Sequence, residues 1–431
     1  MKRSVCCLLI TILATCTTVA APRRDRMVVV ISLDGFPSYA LEDPYLPIPT
    51  IRQLMREGAT AASMRPTNPT VTWPSHTSMV TGVDGSRHQV LYNGLLTPPS
   101  AGRPGKIEPW LDKDKMVRAV TVYDIAHKAG LTTAEVDWVA IYGARSITWK
   151  FPEIPDPEGV IEKELITRNV VSRDQLVNFR KAPITWRDSI WTEAAIHILT
   201  AHKPNLMLFH VLNMDSTHHR YGPMELASYN AFAFADDRVK QVRDALAKAR
   251  LLDRTTLLVV SDHGFRTVNK LIQADAVLES KGVSGAWVVP EGGTAMVYAT
   301  DPAERAALMP RIADAFRVVE GVEAVIGRDE FRRLGLNPDS KESPDLVLAA
   351  KPGYAFSGGK VSSASPFRGG SHGYLNTDSQ MDAIFVAWGA GIRRGARLGQ
   401  VSVMDLGPTI AKLLGLEMSD VQGHVLREIL E

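Results

Sequence analysis

Cysteine is almost absent from this chain. The sequence has 431 residues and three cysteines, all of them within the first 16 residues. The remaining sequence therefore offers no thiol for a disulfide, a metal ligand or a cysteine nucleophile. A protein without disulfides must rely on its core for stability, and an apolar content of 45% is sufficient for a large core.

An excess of one charge and a long apolar segment are also missing. Lysine and arginine total 49, aspartate and glutamate total 47, and the net charge is +2. This balance, without any long charge run, argues against a nucleic-acid-binding patch. No segment after the N-terminus has the length and apolarity of a membrane span. The sequence does not indicate an oligomeric state.

The N-terminus has the three parts of an export signal. Lys2 and Arg3 precede the apolar run 6–16, and the small residues Ala20 and Ala21 follow it. This order predicts a signal peptide over residues 1–21, removed by cleavage. We expect an exported protein, in the bacterial periplasm or secreted, and the lack of later cysteines suits a large enzyme of this kind.

Two alternatives for the N-terminus remain open. A transmembrane anchor would need a longer apolar core than residues 6–16 provide. A lipoprotein signal would place the lipid on Cys16, but Thr15 fits the usual pattern before such a cysteine poorly. In the signal-peptide interpretation, residues 22–431 form the catalytic domain.

Apolar runs and helical patterns alternate along the rest of the chain. The predicted strands, rich in branched residues, are 27–33, 132–138, 205–212, 255–261 and 382–388. The clearest predicted helices are 49–58, 227–246 and 403–415. This alternation predicts an α/β fold, with a mostly parallel central sheet covered by helices on both faces in three layers. Residues from about 270 to 370 differ in pattern, and we expect them to form an inserted α+β subdomain.

Polar side chains cluster where these predicted strands end. They are Asp34, Thr72, Asp215, His219, Asp262, His263 and His372. Ligands bind at the carboxyl ends of strands in open α/β sheets. Aspartate and histidine without sulfur suit zinc or a related divalent ion in a catalytic site. Asp215 and His219 are four residues apart, so one helical turn can aim both at one ion.

Adjacent ligands at a strand end need a sharp turn. Asp262 and His263 can converge on one ion only if the backbone bends, which we expect Gly264 to permit. Gly35 and Gly373 offer the same freedom. Singly, each of these motifs is weak, because an Asp-Gly pair after a strand is more often only a turn.

Thr72 is the candidate nucleophile. Metal coordination would lower the pKa of its hydroxyl enough to form an alkoxide. Pro74 suits the first turn of a helix over 74–81 that stops at Gly82. The N-terminus of that helix would present backbone N–H groups to a phosphoryl oxygen. In the alternative interpretation, residues 70–73 are only a short edge strand.

The order of these motifs resembles the alkaline phosphatase superfamily, and more narrowly its nucleotide pyrophosphatase/phosphodiesterase branch. Residues 72–82 (TWPSHTSMVTG) are similar to that branch's TFPNHxxxVTG element, and residues 215–223 (DSTHHRYGP) to its DSxGHxYGP element. Further matches are 261–265 (SDHGF), 370–374 (GSHGY) and 405–415 (DLGPTIAKLLG). The resemblance covers most of residues 22–431.

This resemblance implies an alkaline phosphatase-like fold and two divalent ions, which we expect to be zinc. One ion would be held by Asp34, Asp262 and His263 with Thr72 as nucleophile, and the other by Asp215, His219 and His372. Asn93, 21 residues after Thr72, stands where the family binds a phosphoryl oxygen, although Tyr92-Asn93-Gly94 also suits a plain turn. The implied activity is hydrolysis of phosphodiester or phosphoanhydride bonds through a covalent phospho-threonine, on a nucleotide or another small phosphodiester.

Several positions depart from the family pattern. Trp73 replaces a phenylalanine that flanks the substrate, and it could stack on substrate, narrow the pocket or simply belong to the core. Ser75 replaces asparagine. His218 replaces glycine, and the spacing favours His219 over it as the ligand. Residues 136–142 replace the family's WPG region, so the resemblance does not identify the substrate.

Other functions on the same site are therefore retained as alternatives. They are a phosphomonoesterase, a phosphonate hydrolase and a lipid-headgroup phosphodiesterase. A sulfatase fits poorly, because that branch uses a cysteine-derived nucleophile. A non-catalytic zinc-binding protein is the alternative from a different class, and the intact nucleophile and ligand set argue against it.

Overall fold

The computed structural model describes residues 22–359 and 364–431. The predicted signal peptide lies outside the described residues. Within them, no helix is both long enough and apolar enough to cross a lipid bilayer.

The strands are β1 (Met27–Leu33), β2 (Ala59–Arg65), β3 (Leu95–Thr97), β4 (Lys106–Glu108), β5 (Thr133–Val136), β6 (Trp149–Phe151), β7 (Leu206–Val211), β8 (Thr255–Val260), β9 (Arg266–Gln273), β10 (Ala286–Pro290), β11 (Thr294–Ala299), β12 (Val322–Gly327), β13 (Leu346–Ala350), β14 (Gly353–Ser357), β15 (Ala364–Ser371), β16 (Phe385–Gly389) and β17 (Arg397–Ser402).

The helices are α1 (Pro49–Glu57), α2 (Thr72–Thr81), α3 (Gly85–His88), α4 (Lys113–Met116), α5 (Val122–Lys128), α6 (Val160–Thr167), α7 (Arg173–Val177), α8 (Ile184–His197), α9 (Asn213–Tyr221), α10 (Leu226–Lys248), α11 (Ala274–Ser280), α12 (Arg305–Arg317) and α13 (Leu406–Leu413). A π-helical turn, Ile198–His202, continues α8.

The central sheet contains eight strands in the order β17-β2-β16-β8-β1-β7-β5-β6. Strand β1 lies between β7 and β8 and is parallel to both. Strand β16 runs antiparallel to β2 and β8, so the predicted strand near its position is the exception in a mostly parallel sheet. The predicted fold class, an alkaline phosphatase-like α/β fold, is confirmed.

Both faces of the sheet are covered, as expected for strands that are apolar throughout. Alternate residues of β1 point to opposite cores: Val29 and Ile31 pack on one side, and Val28 and Val30 on the other. Helices α1, α8 and α10 contribute to the first core, and α2, α5 and α13 to the second. The molecule therefore has three layers, and the loops at the strand ends remain free to form a site.

Two smaller sheets lie between β8 and β16 in the sequence. Strands β10, β11, β13 and β12 form a four-stranded antiparallel sheet. Strands β14, β9 and β15 form a three-stranded sheet, whose last strand ends at Ser371. These sheets occupy the region in which we expect an inserted subdomain. Its exact limits, about 270–370, stay a prediction.

Candidate active site

Three neighbouring strands deliver carboxylates to one edge of the central sheet. Asp34 directly follows β1, and Asp262 is the second residue after β8. Asp215 lies in the first turn of α9, which begins two residues after β7. Because β1, β7 and β8 are adjacent and parallel, their carboxyl ends meet, and the three side chains converge.

One ligand group is built around His263. Its Nε2 lies 3.4 Å from Asp34 Oδ1 and 3.2 Å from Asp262 Oδ2. All three side chains are fully buried. The hydroxyl of Thr72 lies 3.5 Å from the same nitrogen. The predicted nucleophile therefore stands beside this group of possible metal ligands.

A second ligand group surrounds Asp215. Its Oδ1 lies 3.3 Å from Nε2 of His219, one helical turn further along α9, and 3.7 Å from Nε2 of His372. These three residues have potential ligand atoms within 4.8 Å of one another, and so do Asp34, Asp215 and His263. The two groups are thus contiguous. His372 arrives from the three-stranded sheet, so the smaller sheets complete a site begun by the central one.

The three histidines share one orientation. In each ring, Nδ1–H donates to a backbone carbonyl oxygen, which leaves the lone pair of Nε2 directed at the carboxylates. These bonds are His219 to Gly370 (3.2 Å), His263 to Gly264 (3.0 Å) and His372 to Thr70 (3.0 Å). Metal-binding histidines are held in this way, because the second hydrogen bond fixes the tautomer and the ring.

The three carboxylates each have one oxygen atom that is free to bind a cation. One buried oxygen of each has no hydrogen-bond partner, namely Asp34 Oδ1, Asp215 Oδ1 and Asp262 Oδ2. The other oxygens of two of them are held, since His210 Nε2 donates to Asp34 Oδ2 at 3.0 Å and the Gly35 amide donates to Asp262 Oδ1 at 3.1 Å. A buried acceptor without a donor is costly unless a cation binds it. The residues therefore fit divalent metal ions.

The pKa values reflect the same crowding. Burial, followed by the charges of Asp262 and Asp215, raises the pKa of Asp34 well above its ordinary value. Burial also acts on Asp215, but the neighbouring His219 and His372 outweigh it and lower the pKa. Burial lowers the pKa of His263 to about 4. Burial opposes protonation of His219, but the Asp215 carboxylate outweighs it and raises the pKa of that histidine. A neutral His263 and mutually repelling carboxylates favour a bound cation.

Thr72 is the first residue of α2, so the edge-strand alternative for residues 70–73 is wrong. The helix begins two residues before the predicted start and ends at Thr81, with Gly82 in the left-handed conformation at φ +68°. The amide of Trp73 donates to Oδ1 of Asn93 at 3.0 Å. Asn93 thus lies beside Thr72, but it occupies one of the N–H groups that we expected to be free for a phosphoryl oxygen.

Gly264 serves a different purpose from the one predicted. Its backbone is not in the left-handed region, unlike Gly35 and Gly373. A Cβ atom at Gly264 would instead lie 2.0 Å from the carbonyl oxygen of Gln380. The absence of a side chain is needed for close packing of two backbone segments, and this packing positions Asp262 and His263.

His218 lies outside both ligand groups, as the spacing predicted. Its Nδ1–H donates to the backbone oxygen of Gly35 at 3.2 Å, and the ring packs against Phe232 and Phe265. It therefore supports the loop after β1.

His210 and Asp137 were not identified from the sequence. His210 is buried between Asp34 and Asp137, with Nδ1 3.1 Å from the backbone oxygen of Asp137 and 3.2 Å from its Oδ2. Burial opposes protonation, but the two carboxylates outweigh it and raise the pKa of His210 well above its ordinary value. A single histidine inside the apolar run 205–212 was the available signal. Asp137 has a φ of +55°, which no sequence pattern announces.

A cavity of about 330 Å³ is lined by Thr72 and by four of the possible metal ligands, Asp34, Asp215, His219 and His372. Its other walls include Asn93, Trp73, Trp110 and Glu153. A second cavity of about 250 Å³ shares Trp73, Trp110 and Glu153 with it and is further lined by Trp138 and Trp149. Trp110 donates its indole N–H to Glu153 at 2.8 Å. Trp73 itself is 6% exposed. Trp73 therefore packs in the core, which was one of the predicted alternatives, and it also borders both cavities.

The fold and this site define a hydrolase that acts on phosphoric ester bonds. Residues 28–375 match the family model described as type I phosphodiesterase / nucleotide pyrophosphatase. The chain therefore belongs to that family, the nucleotide pyrophosphatase/phosphodiesterase branch of the alkaline phosphatase superfamily.

Named relatives agree with this assignment. The chain is 23% identical over 448 residues to ectonucleotide pyrophosphatase/phosphodiesterase family member 7 of Mus musculus, covering 98% of this chain and 92% of the relative. It is 22% identical over 413 residues to bis(5'-adenosyl)-triphosphatase enpp4 of the same species, covering 92% and 78%. The fold is similar to that of murine ectonucleotide pyrophosphatase/phosphodiesterase 5, solved as an inactive form in complex with AMP, with a TM-score of 0.74, 19% identity and coverage of 94% and 100%.

Proposed function

We propose that this protein is a two-zinc phosphodiesterase or nucleotide pyrophosphatase that forms a covalent phospho-threonine at Thr72. The observation that carries the proposal is the convergence of unpaired carboxylate oxygens and three Nε2 lone pairs next to one hydroxyl. Asp34, Asp262 and His263 would hold one ion. The ligands of the other ion would be Asp215, His219 and His372. The oxygen and imidazole donors, without sulfur, suit zinc.

Two bound ions would supply positive charge that lowers the pKa of the Thr72 hydroxyl and offsets charge on the departing oxygen. The side chains perform the remaining tasks. The Thr72 hydroxyl gives up its proton to solvent and its oxygen forms a bond to phosphorus, while the bond from phosphorus to the leaving oxygen breaks and that oxygen takes up a proton. Water then attacks phosphorus from the opposite side, and the Thr72–phosphorus bond breaks to regenerate the hydroxyl.

In this proposal, Asn93 holds a non-bridging oxygen of the phosphoryl group. Its Oδ1 accepts the Trp73 amide, and the residue lines the same cavity as Thr72, which supports this role. A donor in this role stabilises charge that grows in the transition state, and its removal typically costs about 10²–10³ in kcat. An Asn93→Ala variant is therefore expected to lose turnover mainly through kcat.

The proposed substrate is a nucleotide or a related small phosphodiester. Support comes from the name of the murine bis(5'-adenosyl)-triphosphatase and from the AMP complex of murine family member 5. The cavity next to Thr72 has Trp73 and Trp110 at its walls, and these rings can stack on a planar group. The product from a nucleotide substrate would be a nucleoside monophosphate.

One observation favours a second candidate, a lipid-headgroup phosphodiesterase. The adjoining cavity combines the rings of Trp110, Trp138 and Trp149 with the carboxylate of Glu153. Indole faces and a carboxylate together suit an alkylammonium group through cation–π attraction. The two candidates share the same catalytic residues and differ only in the group that enters this cavity.

Rates on chromogenic esters test the reaction class and the candidates. We expect bis-p-nitrophenyl phosphate to be hydrolysed faster than p-nitrophenyl phosphate. A p-nitrophenyl ester of thymidine monophosphate is then compared with p-nitrophenyl phosphorylcholine. Faster hydrolysis of the nucleotide ester supports the leading proposal, and faster hydrolysis of the choline ester supports the second candidate. A preference for the monoester would reject both in favour of a phosphomonoesterase.

The nucleophile is tested by substitutions at Thr72. Thr72→Ala should abolish turnover while zinc stays bound, and Thr72→Ser, which keeps a hydroxyl, should retain part of the activity. Acid quenching of the wild type during turnover should trap a phosphorylated chain, visible by intact mass. Hydrolysis at the wild-type rate by Thr72→Ala would show that the nucleophile is misassigned.

We also propose that the protein is exported. The proposal depends on the signal-like pattern of residues 1–21. N-terminal sequencing of the protein from the periplasmic or culture fraction is expected to begin near Ala21, and a chain that retains residues 1–21 in the cytoplasm would contradict it.

A further inference from the structure

A second cluster of potential metal ligands lies away from the active site. It consists of Glu164 on α6, His197 at the end of α8 and His202 at the end of the π-helical turn. Nε2 of His197 and Nε2 of His202 lie 2.6 and 2.7 Å from the same oxygen, Oε2 of Glu164. The histidine side chains are 9% and 16% exposed and the glutamate is 34% exposed, so the cluster is anchored but open to solvent.

The π-helical turn creates this arrangement. His197 and His202 are five residues apart, and in a regular α-helix such positions point about 140° away from each other. The turn over Ile198–His202 widens the helix by one residue and brings both rings to one side. Single π-helical turns are rare and concentrate at functional sites. The local backbone thus departs from the regular helix at the place where two imidazoles are brought together.

The neighbouring groups show what would compete with an ion. The guanidinium of Arg168 donates to Nδ1 of His197, so Nε2 of that ring carries the hydrogen that points at Glu164. An ion requires the Nε2 lone pair, so the hydrogen must move to Nδ1 and Arg168 must swing away. Arg168 is exposed and free to do so. Ligand atoms around a tetrahedral ion lie about 3.3–3.5 Å apart, so the present contacts need to open by roughly 0.7 Å.

We propose that Glu164, His197 and His202 form an accessory site for a zinc-class transition-metal ion. Two imidazoles and one carboxylate, with further positions open to water, suit such an ion rather than Ca²⁺ or Mg²⁺, which prefer oxygen ligands. This site is separate from the two proposed zinc positions beside Thr72.

The location indicates what the accessory ion does. The ring of His202 stacks on Trp149 of β6, with centroids 3.9 Å apart and planes 29° from parallel. Trp149 and the first turn of α6, Val160–Glu162, line the tryptophan-rich cavity next to the catalytic pocket. An ion that joins α6 to the end of α8 therefore stabilises the wall of the cavity through residues that pack against the wall.

Zinc content per chain tests the site. Wild type and variants are dialysed against buffered free Zn²⁺, and bound zinc is measured by inductively coupled plasma mass spectrometry. Glu164→Gln and His202→Gln should each hold one ion fewer than wild type, and diester hydrolysis at saturating zinc should persist. Glu193→Gln, which changes an exposed carboxylate on α8, is the matched control and should keep the wild-type content.

Arg168→Gln should increase the zinc affinity of the accessory site, whereas Glu164→Gln and His202→Gln should decrease it. Removing the guanidinium leaves Nδ1 of His197 free to carry the hydrogen, so the accessory ion should bind with a lower Kd than in wild type. The thermal midpoint provides a second readout. Added zinc should raise it further in wild type than in Glu164→Gln.

Equal zinc content in wild type, Glu164→Gln and His202→Gln at every zinc concentration would overturn the proposal. An additional ion that persists in both variants would do the same, because it would have to lie elsewhere. The readout is a difference of one ion, so it holds whatever number of ions the active site contains. A failure of the two-zinc mechanism would show in Thr72→Ala and leave this difference intact.

Discussion

His263 and His372 stack almost face to face, with ring centroids 3.8 Å apart and an angle of 19° between their planes. One ring belongs to each proposed ligand group, and one comes from the central sheet while the other follows the three-stranded sheet. Two neutral imidazoles tolerate this contact, and burial accordingly lowers the pKa of both, to about 4 for His263 and well below its ordinary value for His372. A shift of either ring therefore displaces a ligand of the other proposed metal position.

Loss of His372 should weaken both positions. His372→Ala removes one ligand and the stacking partner of His263, so we expect loss of one zinc per chain, a weaker second ion and no measurable turnover. Zinc content and competition with a chelator check this. His127→Ala is the matched control, since His127 is exposed on α5 and belongs to neither ligand group, and it should keep both ions. Two tightly bound ions in His372→Ala would contradict the ligand assignment.

His210 should act through Asp34. Its Nε2–H holds Asp34 Oδ2 at 3.0 Å and leaves Oδ1 directed at His263. His210→Phe removes this donor, and we expect a loss of about 10–100-fold in zinc affinity, as is typical for residues that orient a ligand. Chelator competition measures it. His88→Gln, at a buried histidine that contacts Ser78 instead, should leave zinc affinity unchanged. An unchanged zinc affinity in His210→Phe would show that His210 only packs against Asp34 and does not orient it.

Gly264 should tolerate no side chain. In Gly264→Ala the new Cβ would meet the carbonyl oxygen of Gln380 at 2.0 Å, so the loop that carries Asp262 and His263 must shift. We expect destabilisation of about 1–3 kcal/mol together with weakened zinc binding. Gly399→Ala is the control, because a Cβ atom at that position would meet nothing within 4 Å. Thermal unfolding and zinc content at equal protein concentration distinguish the two variants.

Stability should depend on pH through Glu135, which lines the tryptophan-rich cavity. Burial raises its pKa from 4.5 to about 8, so the folded protein keeps the proton that the unfolded chain releases. This contribution is present below pH 4.5 and is lost as pH rises to about 8. It amounts to a few kcal/mol at most, since one pKa unit corresponds to about 1.4 kcal/mol.

Glu135→Gln isolates this effect, because glutamine keeps an acceptor for the amide of Trp138. The thermal midpoint of the variant, relative to wild type, should rise between pH 5 and pH 8.5. Glu193→Gln, exposed on α8, should show the same difference from wild type at both pH values. A constant difference for Glu135→Gln as well would show that Glu135 is ionised in the folded protein.

The sequence predicted the metal-ligand candidates well because they follow regular elements. Asp34 directly follows an apolar strand in which Ser32 is the single polar residue, and Asp215 and His219 have helical spacing, so local pattern alone places them. Their meeting depends on the parallel order of β7, β1 and β8, which the strand and helix alternation only suggests. The structure brings together each of the seven predicted residues, while their individual roles remain proposals.

The features that the sequence did not predict depend on contacts between residues far apart in the chain, or on loops without a regular pattern. Gly264 was assigned a backbone role, but its importance comes from Gln380, more than a hundred residues further along the chain. His210 was hidden inside a run that predicts a buried strand, where a histidine is usually a core residue. The walls of the substrate cavity come from irregular loops, and Trp110 was not recognised because no period or turn signal marks it.

The central position of β1 has a consequence for synthesis. Strand β1 pairs with β7 and β8, which begin at Leu206 and Thr255, so one of its edges stays unpaired until about half of the 431 residues are made and the other until more than half are made. Pairings that close such long loops form late and slowly. An apolar strand that waits with two open edges is a target for aggregation, so the yield of native protein is expected to depend on a chaperone that shelters residues 27–33 during translation.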